Sequence, residues 1–379
     1  MKALHSFHTP VQFFFGEGCS SDIAEVLQAR GKQSILFVTD KNLMRSGISR
    51  LIIDRLEKSG ITVRVYDDIV QNPTEENVEK GRDILVREKQ DAIVALGGGS
   101  PIDAAKAISV LSVHDGSIID YEYGLKPIEK HGPEVFLIPT TAGTGSEVTY
   151  WSVITDTETK RKFDVGSPLM SATASFIDPE LTYDLPKSLT AATGMDALCH
   201  ALEAVASVNS WPTMDALAYK AISLIGSNLL KAYREPHNAA ARRSVMMGST
   251  TAGMAFPNAG LGAVHGLTAP LGGHFSVPHG VANAMMLPHV MEFNKNAAAG
   301  KYEQAARILD LQDSSVDGMI RFVVTLAEEM DIPTLKTYGV TEDDLPILAR
   351  DALGRNSNCN TNPEPVSIER AVELYRKAL

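Results

Sequence analysis

The chain has 379 residues, 44% of them hydrophobic and 21% charged, with 35 Lys plus Arg against 46 Asp plus Glu and a formal charge of −11. This length suits two domains with cores of their own, the composition excludes disorder or coiled coil as a description of the whole chain, and the acidic balance argues against nucleic acid as partner. Three cysteines, Cys19, Cys199 and Cys359, are too few for a disulfide framework or a thiolate zinc cage.

The first half alternates strand-like and helix-like stretches. Val11–Phe15 reads as a short strand. Ser34–Thr39 is an apolar run ending at Asp40, and Thr62–Tyr66 ends at Asp67 and Asp68. Ala92–Leu96 runs into three glycines, and Val135–Ile138 runs into Pro139, Thr140 and Thr141. Helix-like Ile48–Ser59 and Thr74–Glu88 lie between them. Short β-branched runs alternating with helices predict βαβ units around a parallel sheet. Ligands of such sheets bind beyond the strand C-termini, where these Asp, Gly and Thr residues fall.

After about Leu185 the β-branched runs disappear. Ala/Leu/Met-rich stretches with three- and four-residue apolar steps predict helices over Ser188–Val208, Met214–Tyr233, Asn238–Phe256, Asn283–Asn294, Ser315–Glu329, Thr341–Leu353 and Ser367–Ala378. Thr341 and Asp344 fit a capping box. The predicted fold class is α/β: a parallel-sheet domain over residues 1–185, followed by an all-helical domain over residues 186–379.

Gly97, Gly98, Gly99 and Ser100 follow a strand and open a helix, with Ser100 as the expected N-cap, Pro101 at the first helical position and Asp103 completing a capping box. Glycines let the backbone approach a pyrophosphate and present its N–H groups. The third glycine of the G-x-G-x-x-G fingerprint is missing, so a glycine turn with a good helix start is the other reading. A second Gly/hydroxyl cluster, Thr140 to Glu147, favours a nucleotide gripped from two sides. Asp40 at a strand end can accept a ribose 2′-OH and repel a 2′-phosphate, which favours NAD over NADP; otherwise it caps the helix-like segment that follows.

Ten histidines are present, four of them between 265 and 289. Asp196 and His200 stand four apart in a helix-like run and leave the same face. Each lies among Ala, Leu and Met, where an unpaired carboxylate is costly. His265 and His279 bracket a Gly-rich stretch. Any one of these histidines alone reads as a core or capping residue. Together, one carboxylate and three imidazoles suit a divalent ion such as Fe²⁺ or Zn²⁺, and the absence of cysteine from the set disfavours a structural zinc site.

The segments Phe15–Gly18, Val38–Asp40, Gly97–Asp103, Pro139–Glu147, Ile177–Thr182, Thr193–His200, His265-Gly266 and Pro278–Asn283 resemble, in order, the iron-dependent (group III) alcohol dehydrogenase family, especially its lactaldehyde–propanediol oxidoreductase and butanol dehydrogenase branch. The resemblance implies a Rossmann-like N-terminal domain and a helical metal-binding domain, the architecture shared with dehydroquinate synthase. It implies a divalent metal, usually Fe²⁺ with Zn²⁺ as the alternative, on Asp196, His200, His265 and His279. It implies NAD(P) on Gly97–Ser100, Thr140, Thr141 and Thr144, and near Asn72, Lys162 and Leu181, with Asp40 in the ribose role. Trp151, Phe256 and Cys359 fall in regions bordering the family's substrate pocket, or else pack in the core. One departure stands out: many members carry a histidine four residues after the third ligand, and here that place is Ala269. His274, between His265 and His279, is then the candidate for passing the alcohol proton outward; its alternative is to shape the pocket or face solvent.

The implied function is reversible, NAD-linked hydride transfer between a small primary alcohol or diol and its aldehyde. Rivals are a glycerol or polyol dehydrogenase, a dehydroquinate synthase-like lyase, and a non-catalytic NAD-binding regulator. The lyase's anionic substrate calls for clustered Arg and Lys, which the 256–289 region lacks, and retention of four candidate ligands argues against the regulator. No run of about 18 apolar residues is available to span a membrane, and the N-terminus has no signal-peptide core. The expected protein is cytoplasmic and homo-oligomeric, with no membrane partner.

Overall fold

A computed structural model of the protein describes residues 5–354 and 357–379. Six strands form one fully parallel sheet: β1 (Gln12–Phe15), β2 (Ser34–Val38), β3 (Thr62–Tyr66), β4 (Ala92–Gly97), β5 (Glu134–Pro139) and β8 (Ala174–Ile177), in the order β1-β8-β5-β4-β2-β3. β6 (Trp151–Thr155) and β7 (Lys162–Gly166) form a separate antiparallel hairpin. Helices α1 (Ile23–Ala29), α2 (Lys41–Ser46), α3 (Ile48–Lys58), α4 (Glu75–Arg87) and α5 (Gly99–Leu111) connect the first strands. β4 is buried along its whole length, as a central parallel strand with both faces covered must be. Its alternate residues enter two cores. Ile93 and Ala95 pack with Val78, Ile84, Ile102 and Ile108, whereas Ala92, Val94 and Leu96 pack with Ile23, Leu27, Ile52 and Ile53.

The sheet unit comprises His8–Thr141 and Ser146–Tyr183. The second unit comprises Asp184–Leu379, the stretch Ala142–Gly145 and the extreme N-terminus. Its helices are α6 (Lys187–Ala206), α7 (Pro212–Gly226), α8 (Leu229–Arg234), α9 (Ala239–Ala259), α10 (Ala263–Phe275), α11 (His279–Asn294), α12 (Ala299–Ile308), α13 (Val316–Glu329), α14 (Leu345–Ala352) and α15 (Ile368–Ala378). α6 packs against α7, α9 and α11 and is buried on nearly every side from Thr190 onward. This is why its sequence shows little polar face. Asn238, Ser315 and Ser367 cap α9, α13 and α15 by accepting from backbone N–H groups three residues on.

Three sequence expectations change, and one stretch without an expected element becomes a helix. Met214–Tyr233 is two helices, broken at Ser227 and Asn228. Thr341–Leu353 opens as a capped 3₁₀ turn over Glu342–Asp344 before α14 begins. α5 starts at Gly99 with Gly98 at its N-cap, so Ser100 is inside the helix and caps nothing. The Gly-rich stretch after His265 is helix α10, continuous through Gly266, Pro270, Gly272 and Gly273. The glycine at 266 serves close packing: a Cβ there would meet Cys359 Sγ at 2.4 Å. Among the described residues, no helix is long and apolar enough to cross a membrane.

Candidate metal centre and nucleotide loops

Four side chains converge in the helical unit. α6 supplies Asp196 and His200 from successive turns of one face. α10 supplies His265 from its first turn, and α11 supplies His279 as its first residue. α11 comes close to α6 because residue 280 is glycine; a Cβ there would lie 2.3 Å from the Ala192 carbonyl oxygen and 3.3 Å from Asp196 Cβ. The Pro-His-Gly run therefore sets a ligand at a helix start and clears the space that brings it to Asp196.

The Nε2 atoms of His200, His265 and His279 each lie 3.7 Å from the same oxygen, Asp196 Oδ1. All four donor atoms fall within 4.8 Å of one another. Tetrahedral bonds of about 2.0–2.2 Å place neighbouring donors about 3.3–3.6 Å apart, so the set fits a divalent transition-metal ion. The His200 ring stacks on His265 at 4.6 Å on one side and on Phe256 at 4.5 Å on the other. Asp196, His200 and His265 are buried, whereas the His279 side chain is 39% exposed and forms the open side of the site.

The electrostatics match a buried polar cluster. Burial pushes the Asp196 carboxyl up, but the three imidazoles outweigh it and hold the group well below the usual carboxylate range. Burial pushes His200 down to about 4, against the pull of Asp196. Burial also lowers His265, yet Glu203 and Asp196 on its two sides raise it to about 9.

Two residues outside the expected set complete the centre. Glu203 is 2.5 Å from His265 Nδ1. Asn283 donates through its amide to Asp196 Oδ1 at 2.7 Å, and the same nitrogen lies 3.0 and 3.2 Å from Nε2 of His265 and His279. The sequence signal was spacing: Glu203 lies seven residues after Asp196 on the same face, and Asn283 lies four after His279.

The nucleotide residues belong chiefly to the sheet unit. Thr140 N–H donates to the Gly97 carbonyl at 2.9 Å, so the two Gly/hydroxyl loops are joined at their strands. Asn72 takes a left-handed conformation at φ 58°, and its N–H donates to Ser100 Oγ at 3.3 Å. Beneath the loops the fully buried Lys106 donates to the Ser146 carbonyl and hydroxyl at 3.0 and 2.7 Å and pairs with Asp103 at 3.3 Å. Burial lowers its pKa while Asp103 opposes the shift. Sequence reading missed this lysine, although its place in the first turns of α5 marks it. Lys162 begins β7, and Leu181 lies in the 3₁₀ turn Pro179–Thr182, packed on the sheet core. Thr144 falls in the Ala142–Gly145 stretch counted with the helical unit.

Asp40 does cap α2: Asn42 and Leu43 N–H groups donate to its Oδ1 at 2.7 and 3.0 Å. Its second carboxylate oxygen takes no part in the cap. Phe256 stacks on His200, and Cys359 lies against Gly266, the residue after His265. Trp151 lies in the hairpin, over Gly166 and edge-on to Tyr123 at 4.8 Å. His274 sits in the last turn of α10, 39% exposed, with Nε2 2.7 Å from Asp351 Oδ2.

Comparison with known proteins identifies the family of the chain. The model of the iron-containing alcohol dehydrogenase matches residues 10–179, and that of the Fe-containing alcohol dehydrogenase family C-terminal region matches residues 190–379. The chain is 37% identical over 378 residues to lactaldehyde reductase of Escherichia coli, covering 96% of this chain and 97% of that protein. Its structure resembles a solved 1,3-propanediol oxidoreductase with a TM-score of 0.96 at 37% identity, covering 100% of both chains. It also resembles sulfoacetaldehyde reductase from Bifidobacterium kashiwanohense, solved in complex with NAD+, with a TM-score of 0.92 at 31% identity, covering 99% of both chains.

Proposed function

The chain belongs to the iron-containing alcohol dehydrogenase family, and from that premise we propose that it carries out reversible, NAD-linked hydride transfer between a small primary alcohol or diol and its aldehyde. It is an alcohol dehydrogenase, interconverting alcohol and aldehyde. The observation that carries the metal dependence is the three imidazole nitrogens set at 3.7 Å around one buried carboxylate oxygen. Asp196, His200, His265 and His279 would hold Fe²⁺, with Zn²⁺ as the alternative occupant. When bound, such an ion acts as a Lewis acid on the alcohol or carbonyl oxygen, and a nicotinamide carries the hydride.

The chain's own residues bind and orient. Gly97, Gly98, Gly99 and Ser100, at the N-terminus of α5, and the Thr140, Thr141 and Thr144 loop offer backbone N–H and hydroxyl groups to a pyrophosphate. Asn72, Lys162 and Leu181 border the same dinucleotide. Asp40 favours NAD over NADP through the carboxylate oxygen left over from its cap, and the NAD+ complex of the sulfoacetaldehyde reductase relative supports the same choice. Phe256, stacked on His200, and Cys359, against Gly266, are the proposed substrate-bordering residues of the helical unit; Trp151 is the proposed one of the sheet unit. A small substrate is supported by the lactaldehyde and propanediol relatives. With Ala269 unable to carry a proton, the proposed route for the alcohol proton runs through water to His274, which lies nine residues and about 13 Å along α10 from His265, exposed and paired to Asp351. β1 ends the sheet, with Phe13 exposed, and this open edge, along which a second copy could pair, supports a homodimer.

The test follows NAD+ reduction with ethanol, butanol, glycerol, 1,2-propanediol and 1,3-propanediol, on chelator-stripped and Fe²⁺-reloaded enzyme. Activity that returns with the ion on small primary alcohols or diols is the expected result. Equal activity without metal, or turnover of glycerol alone, overturns the reading.

A further inference from the structure

We propose that Glu203 is a positioning residue of the metal centre, holding His265 in the tautomer that turns a lone pair on Nε2 toward the ion. The inference rests on the metal reading above and extends it to a residue outside the ligand set. Glu203 is buried, 6% exposed, and both of its carboxylate oxygens are engaged. Oε1 accepts the Val264 N–H at 2.7 Å, and Oε2 stands 2.5 Å from His265 Nδ1. A backbone N–H can only donate, so Glu203 acts as an acceptor there. An ionised carboxylate has no proton to offer Nδ1 either. Nδ1 therefore keeps its proton, and when an incoming ion displaces the proton of Nε2, the lone pair left there lies on the side of Asp196 Oδ1, 3.7 Å away.

The same carboxylate fixes where His265 starts. α10 has Gly262 at its N-cap and no side-chain cap of its own. Its first free N–H groups are taken by Asn362 Oδ1, from Ala263 at 3.0 Å, and by Glu203 Oε1, from Val264. Glu203 thus anchors both the backbone and the ring of the α10 ligand to α6, which carries the other two inner ligands.

Cys199, Glu203 and His265 could be taken for a second metal site, since their donor atoms also cluster. The distances decide otherwise. Two bonds of about 2.0–2.2 Å at angles near 90–109° set donors about 2.8–3.6 Å apart, and 2.5 Å between Oε2 and Nδ1 leaves no such room. That contact is a hydrogen bond.

Zinc affinity of the chelator-stripped, full-length protein tests this, by competition with a chromogenic chelator, in wild type, Glu203→Gln and Glu203→Ala. Gln keeps the volume but can accept from only one of the two donors. The expected result is one zinc per chain in wild type and affinity about tenfold to a hundredfold weaker in both variants. Long-range ¹H–¹⁵N correlation on zinc-loaded wild type, which needs no variant to fold, should show the His265 proton on Nδ1. Undiminished affinity in both variants beside a competent wild type overturns this inference alone, whereas a proton on Nε2 of His265 overturns it and also removes that nitrogen from the proposed ligand set. A wild type that binds no zinc overturns the metal reading and this inference with it.

Discussion

The amide nitrogen of Asn283 lies 2.7 Å from Asp196 Oδ1, the oxygen from which all three imidazole nitrogens are equidistant. Thr268 Oγ1 donates to Asn283 Oδ1 at 2.6 Å and so fixes which end of the amide faces the carboxylate. Asn283 is completely buried. It lends hydrogen-bond donors to ligands that otherwise repel any donor-poor neighbour.

Asn283→Ala should therefore destabilise the chelator-stripped protein by about 1–3 kcal/mol, because it strands the Thr268 hydroxyl and one acceptor of Asp196. Asn283→Asp sets a second carboxylate beside Asp196, which should destabilise the stripped protein further. Added Zn²⁺ should then raise its melting temperature more than it raises that of wild type. Equal zinc-induced shifts in Asn283→Asp and wild type would sink this account of the amide.

Asp40 has two separable roles, so two substitutions separate them. Asn caps a helix as well as Asp does. Asp40→Asn should leave the melting temperature unchanged while raising kcat/KM for NADP relative to NAD, since it removes the negative charge that opposes a 2′-phosphate. Asp40→Gly should raise the ratio as well, at a cost of a few tenths of a kcal/mol for the weaker cap. An unchanged cofactor ratio in both would leave Asp40 as a helix cap and nothing more.

His274→Ala isolates the proton route. The expected outcome is a kcat for alcohol oxidation lower by about tenfold to a hundredfold, with metal content unchanged. Wild-type kcat in His274→Ala would assign the proton to bulk water.

Cys19 gives a pH prediction. Burial, reinforced by the neighbouring Asp178 carboxylate, pushes its thiol up to about 12. Burial likewise lifts Cys359 to about 11. The thiolate is the reactive form, so both stay protonated at pH 8 and their alkylation should accelerate only as pH climbs toward those values. Iodoacetamide at pH 8 should label the native protein slowly at every cysteine and label all three quickly in urea. Rapid native labelling of Cys19, seen by peptide mass spectrometry, would contradict its placement under Phe14 and Asp178.

Local pattern made much of this protein legible before any coordinates. β2, β3, β4 and β5 follow from β-branched runs, because a strand buried on both faces needs an unbroken apolar stretch. Asp196 and His200 follow from a four-residue step, which fixes a shared helix face whatever packs outside it. The capping residues Thr74, Asn238, Ser315 and Ser367 mark their helix starts for the same reason: a cap is made by residues a few positions apart.

Other features depend on what arrives from elsewhere in the chain. Glycine and proline leave α10 without a helical signal in the sequence, and only the approach of Cys359 to within 2.4 Å of a Cβ at 266 shows why a helix carries glycine there. The β6–β7 hairpin carries a short alternation of buried and more exposed residues in each strand and no unbroken apolar run. Glu203 reads as one more acidic residue until α10 brings Val264 and His265 against it. Asp40 could cap or bind from its sequence position, and the backbone of α2 decided that it caps with one oxygen. By itself the sequence determined the parallel sheet, the glycine loops and the four ligand types, because these rest on periodicity and side-chain chemistry. Tertiary structure alone decided the outer partners of the metal centre and the close helix contacts, because burial and hydrogen bonding between distant segments exist only once those segments meet.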